Sequence, residues 1–461
     1  MSDDPDATSE SERRFATREL SYAEELHYFR LALRNYAEAA LLLHRRHGDV
    51  VRKRLPRRAL WFVHPRHLRR ILRTNVRNYP KAGPSGGLYD YLRPILGNGL
   101  FVSDGELWTR QRRILAPEFR TATVGRFLPV IVERTQEMLD EWARSVDGEA
   151  RDISDDMMRL TMWVVGGSMF KSDLRQEAEA IGHALELQLR QSTRQILSAG
   201  LLRPWMPTPG NLEARRAARE LDALVRGIVT RGRAGDVGEV DVLSRLLVAR
   251  DGETGEAMSD QQLVDEVKSL ILAGHETTSL TLAWTFYLLA HHPEVEARLV
   301  EEVTRVLGDR PPRPEDVPEL IYTRMVLFEV MRLYPPVPAV PRIAIDDDEF
   351  DGVRVRAGEN TNVVPFVTHR HPEFWTHPDV FDPQRFHPSR IDAIEPYAYL
   401  PFLRGRRACL GEHFAMLEGV VSLAMLVRRF HLEWAEARAM QTRPISTLRF
   451  ERPLRMRVRA R

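Results

Sequence analysis

From Ser259 to Ala290 the chain is apolar on most faces at helical spacing, with no proline to interrupt it. A helix of that length spans roughly 45 Å and has no broad polar side to give to water. It therefore has to cross an interior, with other helices packed around it. No run approaches the ~18 consecutive apolar residues of a membrane span, so a protein core is expected to surround it. This one element asks for a large α-rich domain, and 461 residues, 43% of them hydrophobic, are enough to build one.

The rest of the pattern agrees. Apolar residues recur at helical spacing from Tyr22 to His47, where Gly48 stops them. Val50–Leu55 and Ala59–Val63 alternate like a hairpin with Pro56 in its turn. His64 and Pro65 open another helix, expected to run to about Thr74. Arg120 to Ala249 reads as almost wholly helical, broken at Leu202–Gly210 by Pro204, Pro207 and Pro209. Short strands are expected at Arg342–Ile345, Val353–Val355 and Asn360–Val364. Val367–Leu403 has no clear period, and Glu412–Phe430 is a last apolar helix. With neither repeat nor linker, the reading is one mainly α domain with a small β portion over 21–461, behind a disordered tail over 1–20.

Composition removes several classes of function. The net charge of +2 gives no general case for a nucleic-acid partner. The N-terminus lacks the apolar stretch of a signal peptide, and a lone cysteine, Cys409, allows no intramolecular disulfide. A cytoplasmic, monomeric protein is expected.

That cysteine sits in Phe402-x-x-Gly405-x-Arg407-x-Cys409-x-Gly411, directly before the last helix. Thiolates need positive potential and hydrogen-bond donors, and a helix N-terminus offers both. Gly405 and Gly411 allow a tight backbone path and close approach by a flat ligand. Phe402 can shield the sulfur, and Arg407 can reach a carboxylate at the ligand's edge. Inside the long helix, Ala273-Gly274-His275-Glu276-Thr277-Thr278 puts small and polar residues where a buried helix disfavours them. The Thr277 hydroxyl can bond the Ala273 carbonyl and loosen the helix there. An acid beside an alcohol can relay protons. Ser103-Asp104-Gly105-Glu106 reads as a capping box, and the helix it starts puts Trp108 and Arg112 on one side. Glu329 and Arg332, at i,i+3, share a helix face. His369, His371 and His377 lie in the irregular stretch without a convincing ligand set and read as loop packing.

Together these residues resemble the cytochrome P-450 family. The ligand-loop pattern Phe-x-x-Gly-x-Arg-x-Cys-x-Gly is matched at every fixed position, as are Ala/Gly-Gly-x-Asp/Glu-Thr-Thr/Ser and Glu-x-x-Arg with a later Pro-x-Arg-Phe, here Pro383 to Phe386. The family's proline-rich segment near the N-terminus is not found. The resemblance implies the P-450 fold and a haem-thiolate monooxygenase. Haem b would be held by Cys409 as the metal ligand, with Trp108, Arg112, Arg407 and Arg342 near its carboxylates and Ala273 and Gly274 leaving room for dioxygen. Thr277 would activate oxygen, Glu276 would supply protons, and Glu329, Arg332 and Arg385 would be a structural triad. A lipophilic substrate is expected to meet residues 82–100, the helices flanking Leu202–Gly210 and the face around Leu272–Thr277. Electrons from NAD(P)H would come through a separate ferredoxin or flavodoxin with its reductase, drawn to Arg110, Arg113, Arg404 and Arg406. A peroxide-driven or isomerising enzyme and a non-catalytic haem sensor or carrier are the alternatives.

Overall fold

The structure is a computed structural model and describes residues 15, 17–55, 58–81, 88–172, 174–175, 177–198, 201–203, 205–234, 241–444 and 446–461. Its axis is the expected long helix, Asp260–Leu289, whose N-cap Ser259 accepts the Gln262 N–H. It packs along Ile153–Phe170 on one side and against Pro209–Ala234, Ile321–Leu333 and Glu412–Arg429 on the others. Gly274 allows a close crossing with Ile153–Phe170, since a Cβ there would lie 2.9 Å from Val165 Cγ2. Its missing side chain therefore serves helix packing as well as room in the site. The expected loosening does not occur. Thr277 Oγ1 does donate to the Ala273 carbonyl, at 2.9 Å, yet the segment stays α-helical throughout.

After the short helix Thr121–Val124 and a 3-10 turn at Gly125–Phe127, the described helical residues up to Ala249 fall into Leu128–Ala143, Ile153–Phe170, Ala178–Leu197, Pro209–Ala234 and Val242–Val248. Proline at the start of Pro209–Ala234 fits the first helical turn, where no N–H is needed.

A five-stranded sheet lies beside this body. Its order is Arg18–Glu19, Val50–Lys53, Ala59–Phe62, Asn360–Val363, Val340–Ile343. The expected hairpin is present as the antiparallel pair Val50–Lys53 and Ala59–Phe62, and Pro56 lies outside the described residues. Most of the tail expected over 1–20 also lies outside them. Its described end departs from that expectation, because Arg18–Glu19 pairs with Val51 and Arg52 and Phe15 is buried among His64, His67 and other core rings. Val340–Ile343 runs antiparallel to Asn360–Val363, which carries Arg342 inward. The C-terminal strands Phe430–Trp434 and Arg455–Ala460 were not anticipated, although Met456 and Val458 alternate with arginines in a strand pattern. Among the described residues no helix is long and apolar enough to cross a membrane.

Candidate active site

One cavity of about 300 Å³ gathers most of the residues singled out by the sequence. Cys409 and Phe402 lie on one wall, and Ala273, Gly274 and Thr277 of the long helix on another. The cysteine loop is held by its own backbone. Cys409 N–H donates to the Phe402 carbonyl at 2.8 Å, and Gly405, at φ +85°, turns the chain. A Cβ at Gly405 would come within 2.1 Å of the Leu72 carbonyl oxygen, so no other residue fits there. Gly411 differs. Its φ of −87° suits any residue, and a Cβ would meet no atom within 4 Å. Because Gly411 lines the cavity, its value is the open space it leaves there for a flat ligand.

Cys409 is an exposed residue that lines the cavity. Burial pushes the thiol up to about 11, and Glu412 adds to the push, while the Gly411 N–H and Arg112 oppose it. A cation at the sulfur is what would make it a thiolate near neutral pH.

Beside it stands an excess of positive charge. Lys81, Arg112, Arg342 and Arg407 all line the cavity, with Trp108 among them. The Arg407 guanidinium lies 4.2 Å from the Trp108 ring centre. Arg112 Nη1 donates to the Ala408 carbonyl at 2.9 Å, tying this helix to the cysteine loop. Arg407 is paired with Asp104, whose other oxygen accepts the Lys81 N–H at 2.6 Å. Arg342 is 1% exposed, and its Nε has no hydrogen-bond partner. Burial, then Arg407 and Arg342, hold the Lys81 ammonium well below its usual range, and burial brings Arg407 down to about 10. One buried and three half-buried cations, with only Asp104 paired among them, are a costly arrangement unless an anion joins them. A planar group with two carboxylates at its edge and a metal at its centre fits the orphaned Arg342, the open space at Gly411 and the sulfur together. Haem is such a group. Lys81 was missed by sequence reasoning, which had only its isolation as one of four lysines in an arginine-rich chain to go on.

Several expectations are corrected. Glu276 does not line the cavity. Its Oε1 accepts from Thr447 Oγ1 at 2.6 Å and Arg449 Nε at 2.8 Å, on the far side of the helix. The helix cap is Asp104, accepting the Gly105 N–H, while Ser103 turns its hydroxyl to Gln111. Arg110 and Arg113 are not free cations, because Asp251, Glu253 and Glu256 pair with them. Arg406 donates to Thr109, and Arg404 is exposed. Among the described residues the helices flanking Leu202–Gly210 contribute nothing to the cavity wall, nor does Leu272. Residues 82–87 lie outside the description, whereas Tyr89 and Leu100 line the cavity.

The remaining residues brace the site. Glu329 and Arg332 form a fully buried pair that Arg385 joins at 3.3 Å. His369 Nδ1 lies 3.2 Å from the Arg332 carbonyl, and its Nε2 accepts the Leu400 N–H at 2.8 Å, which fixes the tautomer. Burial and the neighbouring Arg332 bring this ring down to about 3, so it stays neutral. His371 turns to Asp49, at 3.1 Å, and His377 gives its carbonyl to Arg385. The three histidines do not converge.

The family model described as Cytochrome P450 matches residues 26–456. The chain belongs to the cytochrome P450 family. Among curated P450 relatives, Cyclooctatin synthase of Streptomyces melanosporofaciens is 36% identical over 413 residues, covering 89% of this chain and 88% of that protein. Cyclooctat-9-en-7-ol 5-monooxygenase of the same species is 34% identical, covering 84% and 83%. Pentalenene oxygenase of Streptomyces avermitilis is 32% identical, covering 90% and 91%. The solved P450 haem domain titled cytochrome P450DA superposes with a TM-score of 0.84 at 28% identity, covering 95% of this chain and 94% of that one. The protein is thus a P450 monooxygenase, an enzyme that uses haem, dioxygen and reducing equivalents delivered by a redox partner.

Proposed function

We propose that this enzyme holds haem b on Cys409 and inserts one atom of dioxygen into a lipophilic terpenoid, the other leaving as water. The observation that carries the reading is the cavity with Cys409 on one wall and the small-residue face and Thr277 on another. Cyclooctatin synthase, Cyclooctat-9-en-7-ol 5-monooxygenase and Pentalenene oxygenase support the terpenoid class. Bound there, haem supplies the iron at which dioxygen is reduced, and a thiolate ligand favours O–O cleavage.

The chain's own residues do the rest. Lys81, Arg112, Arg342, Arg407 and the Trp108 N–H would receive the two carboxylates and fix the group's orientation. Ala273 and Gly274, on the cavity face of the long helix, would leave room there for dioxygen. Thr277 Oγ, resting on the Ala273 carbonyl, offers its hydroxyl at that face and can position a water that carries protons. Glu276 reaches this face only by leaving Thr447 and Arg449, so the resting proton path runs through Thr277 and solvent. Leu270, Met331, Val337 and Val340 exclude water around a lipophile.

Thr277→Ala is expected to keep haem and lose coupling. Deleting a positioned donor of this kind costs about 2–4 kcal/mol in the step it serves, and the electrons then leave as hydrogen peroxide. Product, peroxide and NAD(P)H consumed are compared in wild type and variant with one turned-over substrate. Equal coupling would leave Thr277 a purely structural role.

Electrons are proposed to come from NAD(P)H through a ferredoxin or flavodoxin with its reductase. The kinship with P450 monooxygenases, which take reducing equivalents from a partner, supports this reading. Turnover of a terpenoid panel should require dioxygen, NAD(P)H and an added ferredoxin and reductase. Full product with peroxide alone, or with NAD(P)H alone, would overturn this reading.

A further inference from the structure

The cavity also carries a polar group, beside Lys81, that neither haem binding nor oxygen chemistry uses. Glu266 lies on the long helix, on the face that continues through Leu270 and Ala273 to Thr277, and it lines the cavity. Its side chain is fully buried. Oε2 accepts the Leu100 N–H at 2.9 Å, and Oε1 has no hydrogen-bond partner. One turn further on, Ser269 also lines the cavity with its hydroxyl unpartnered. Lys81, whose charge reaches Glu266, gives its ammonium to the carbonyls of Leu100 and Phe101 instead. Two buried oxygens without a hydrogen-bond partner are costly.

We infer that Glu266, supported by Ser269, is a recognition site for a hydroxyl group on the substrate. This names the substrate class within the oxygenase reading above and rests on it. The substrate is then an alcohol, a lipophile already oxygenated once, and not a bare hydrocarbon. Seven residues of helix separate Glu266 from Ala273, a rise of about 10 Å. A hydroxyl held at Glu266 would therefore present a carbon a polycyclic skeleton's length away to the oxygen-binding face. Burial pushes the Glu266 carboxyl up to about 8, with Asp265 adding to the push, so near neutral pH it is an acid that can donate as well as accept. A neutral hydroxyl suits it better than an ammonium, which Lys81 and the haem-cradle arginines repel. The reaction that supplies the substrate must itself install a hydroxyl, either an earlier oxygenation or a cyclisation ended by water.

The structural alternative is that Glu266 only latches the Leu100 segment to the helix. Paired ligands separate the two. Spin-state titrations of the haem-loaded enzyme would use α-cedrene against cedrol and abietadiene against abietadienol. At least one alcohol is expected to bind roughly tenfold tighter than its hydrocarbon, the usual scale for satisfying a buried polar group. Glu266→Met, similar in volume and apolar, should erase that preference. Glu266→Gln, which can still accept from Leu100 and bond a hydroxyl, should keep it within about threefold. No alcohol preference in wild type, no alcohol binding at all, or a preference that survives Glu266→Met would each overturn the inference. Equal weakening of both ligands by Glu266→Met would assign Glu266 to the latch alone and overturn it too. Failure of the oxygenase reading would show separately, as absence of the thiolate-type carbon monoxide spectrum and of dioxygen-dependent turnover.

Discussion

Cys409→Ser is expected to abolish the red-shifted Soret band of the reduced, carbon-monoxide-bound enzyme and to take monooxygenase activity with it. The reason lies in what surrounds the sulfur. Burial and Glu412 raise the thiol to about 11, and the Gly411 N–H and Arg112 do not offset them. The site is therefore poor at ionising its ligand unaided, and a bound iron would have to displace the proton. A thiol can make that exchange, whereas an alcohol is far less acidic and a harder ligand. The cradle of Lys81, Arg112, Arg342 and Arg407 is untouched by the change, so some haem should still enter. Haem content measured on the same preparation as the spectrum separates loss of the ligand from loss of the group. A variant that retains both haem and the red-shifted band would remove Cys409 from the iron.

What could be read in the sequence is what depends on neighbours along the chain. The cysteine loop is contiguous, and Gly405 is needed because the Leu72 carbonyl presses on it, a contact that the pattern encodes without showing. Trp108 and Arg112 could be paired from i,i+4 spacing, and the long helix from its period. What was left open or misassigned depends on partners distant in sequence. The direction of Glu276 is set by Thr447 and Arg449 on a C-terminal hairpin. Arg110 and Arg113 looked like a cationic face until the turn carrying Asp251 folded onto them. Asp104 displaced Ser103 as the cap because Arg407 and the Lys81 backbone place its carboxylate at the helix start. Glu266 carries no motif at all. Only the cavity distinguishes it from other acids of the same helix.

Arg332→Leu is expected to be the most destabilising single change away from the sulfur. The Arg332 guanidinium is wholly buried, and its N–H groups are all engaged: two with Glu329, the others with the carbonyls of His369, Pro378 and Val380. Glu329 in turn accepts the Asp382 N–H at 2.9 Å and Arg385 Nε at 3.3 Å. Burial raises the Glu329 carboxyl, and Arg332 is the largest influence opposing that rise. Removing the guanidinium leaves a buried carboxylate without its main partner and three carbonyls without donors. Breaking a buried pair in this way costs about 3–5 kcal/mol. The loss would fall on the segment leading to the sulfur, because His369 links the Arg332 carbonyl to Leu400, two residues before Phe402. The haem-loaded fraction on purification and the thermal unfolding of that fraction should both drop sharply. Arg385→Leu, which removes one longer contact to Glu329 from a more accessible side chain, should cost only about 1 kcal/mol. Equal and small effects of the two substitutions would mean that the pair does not brace the cysteine loop.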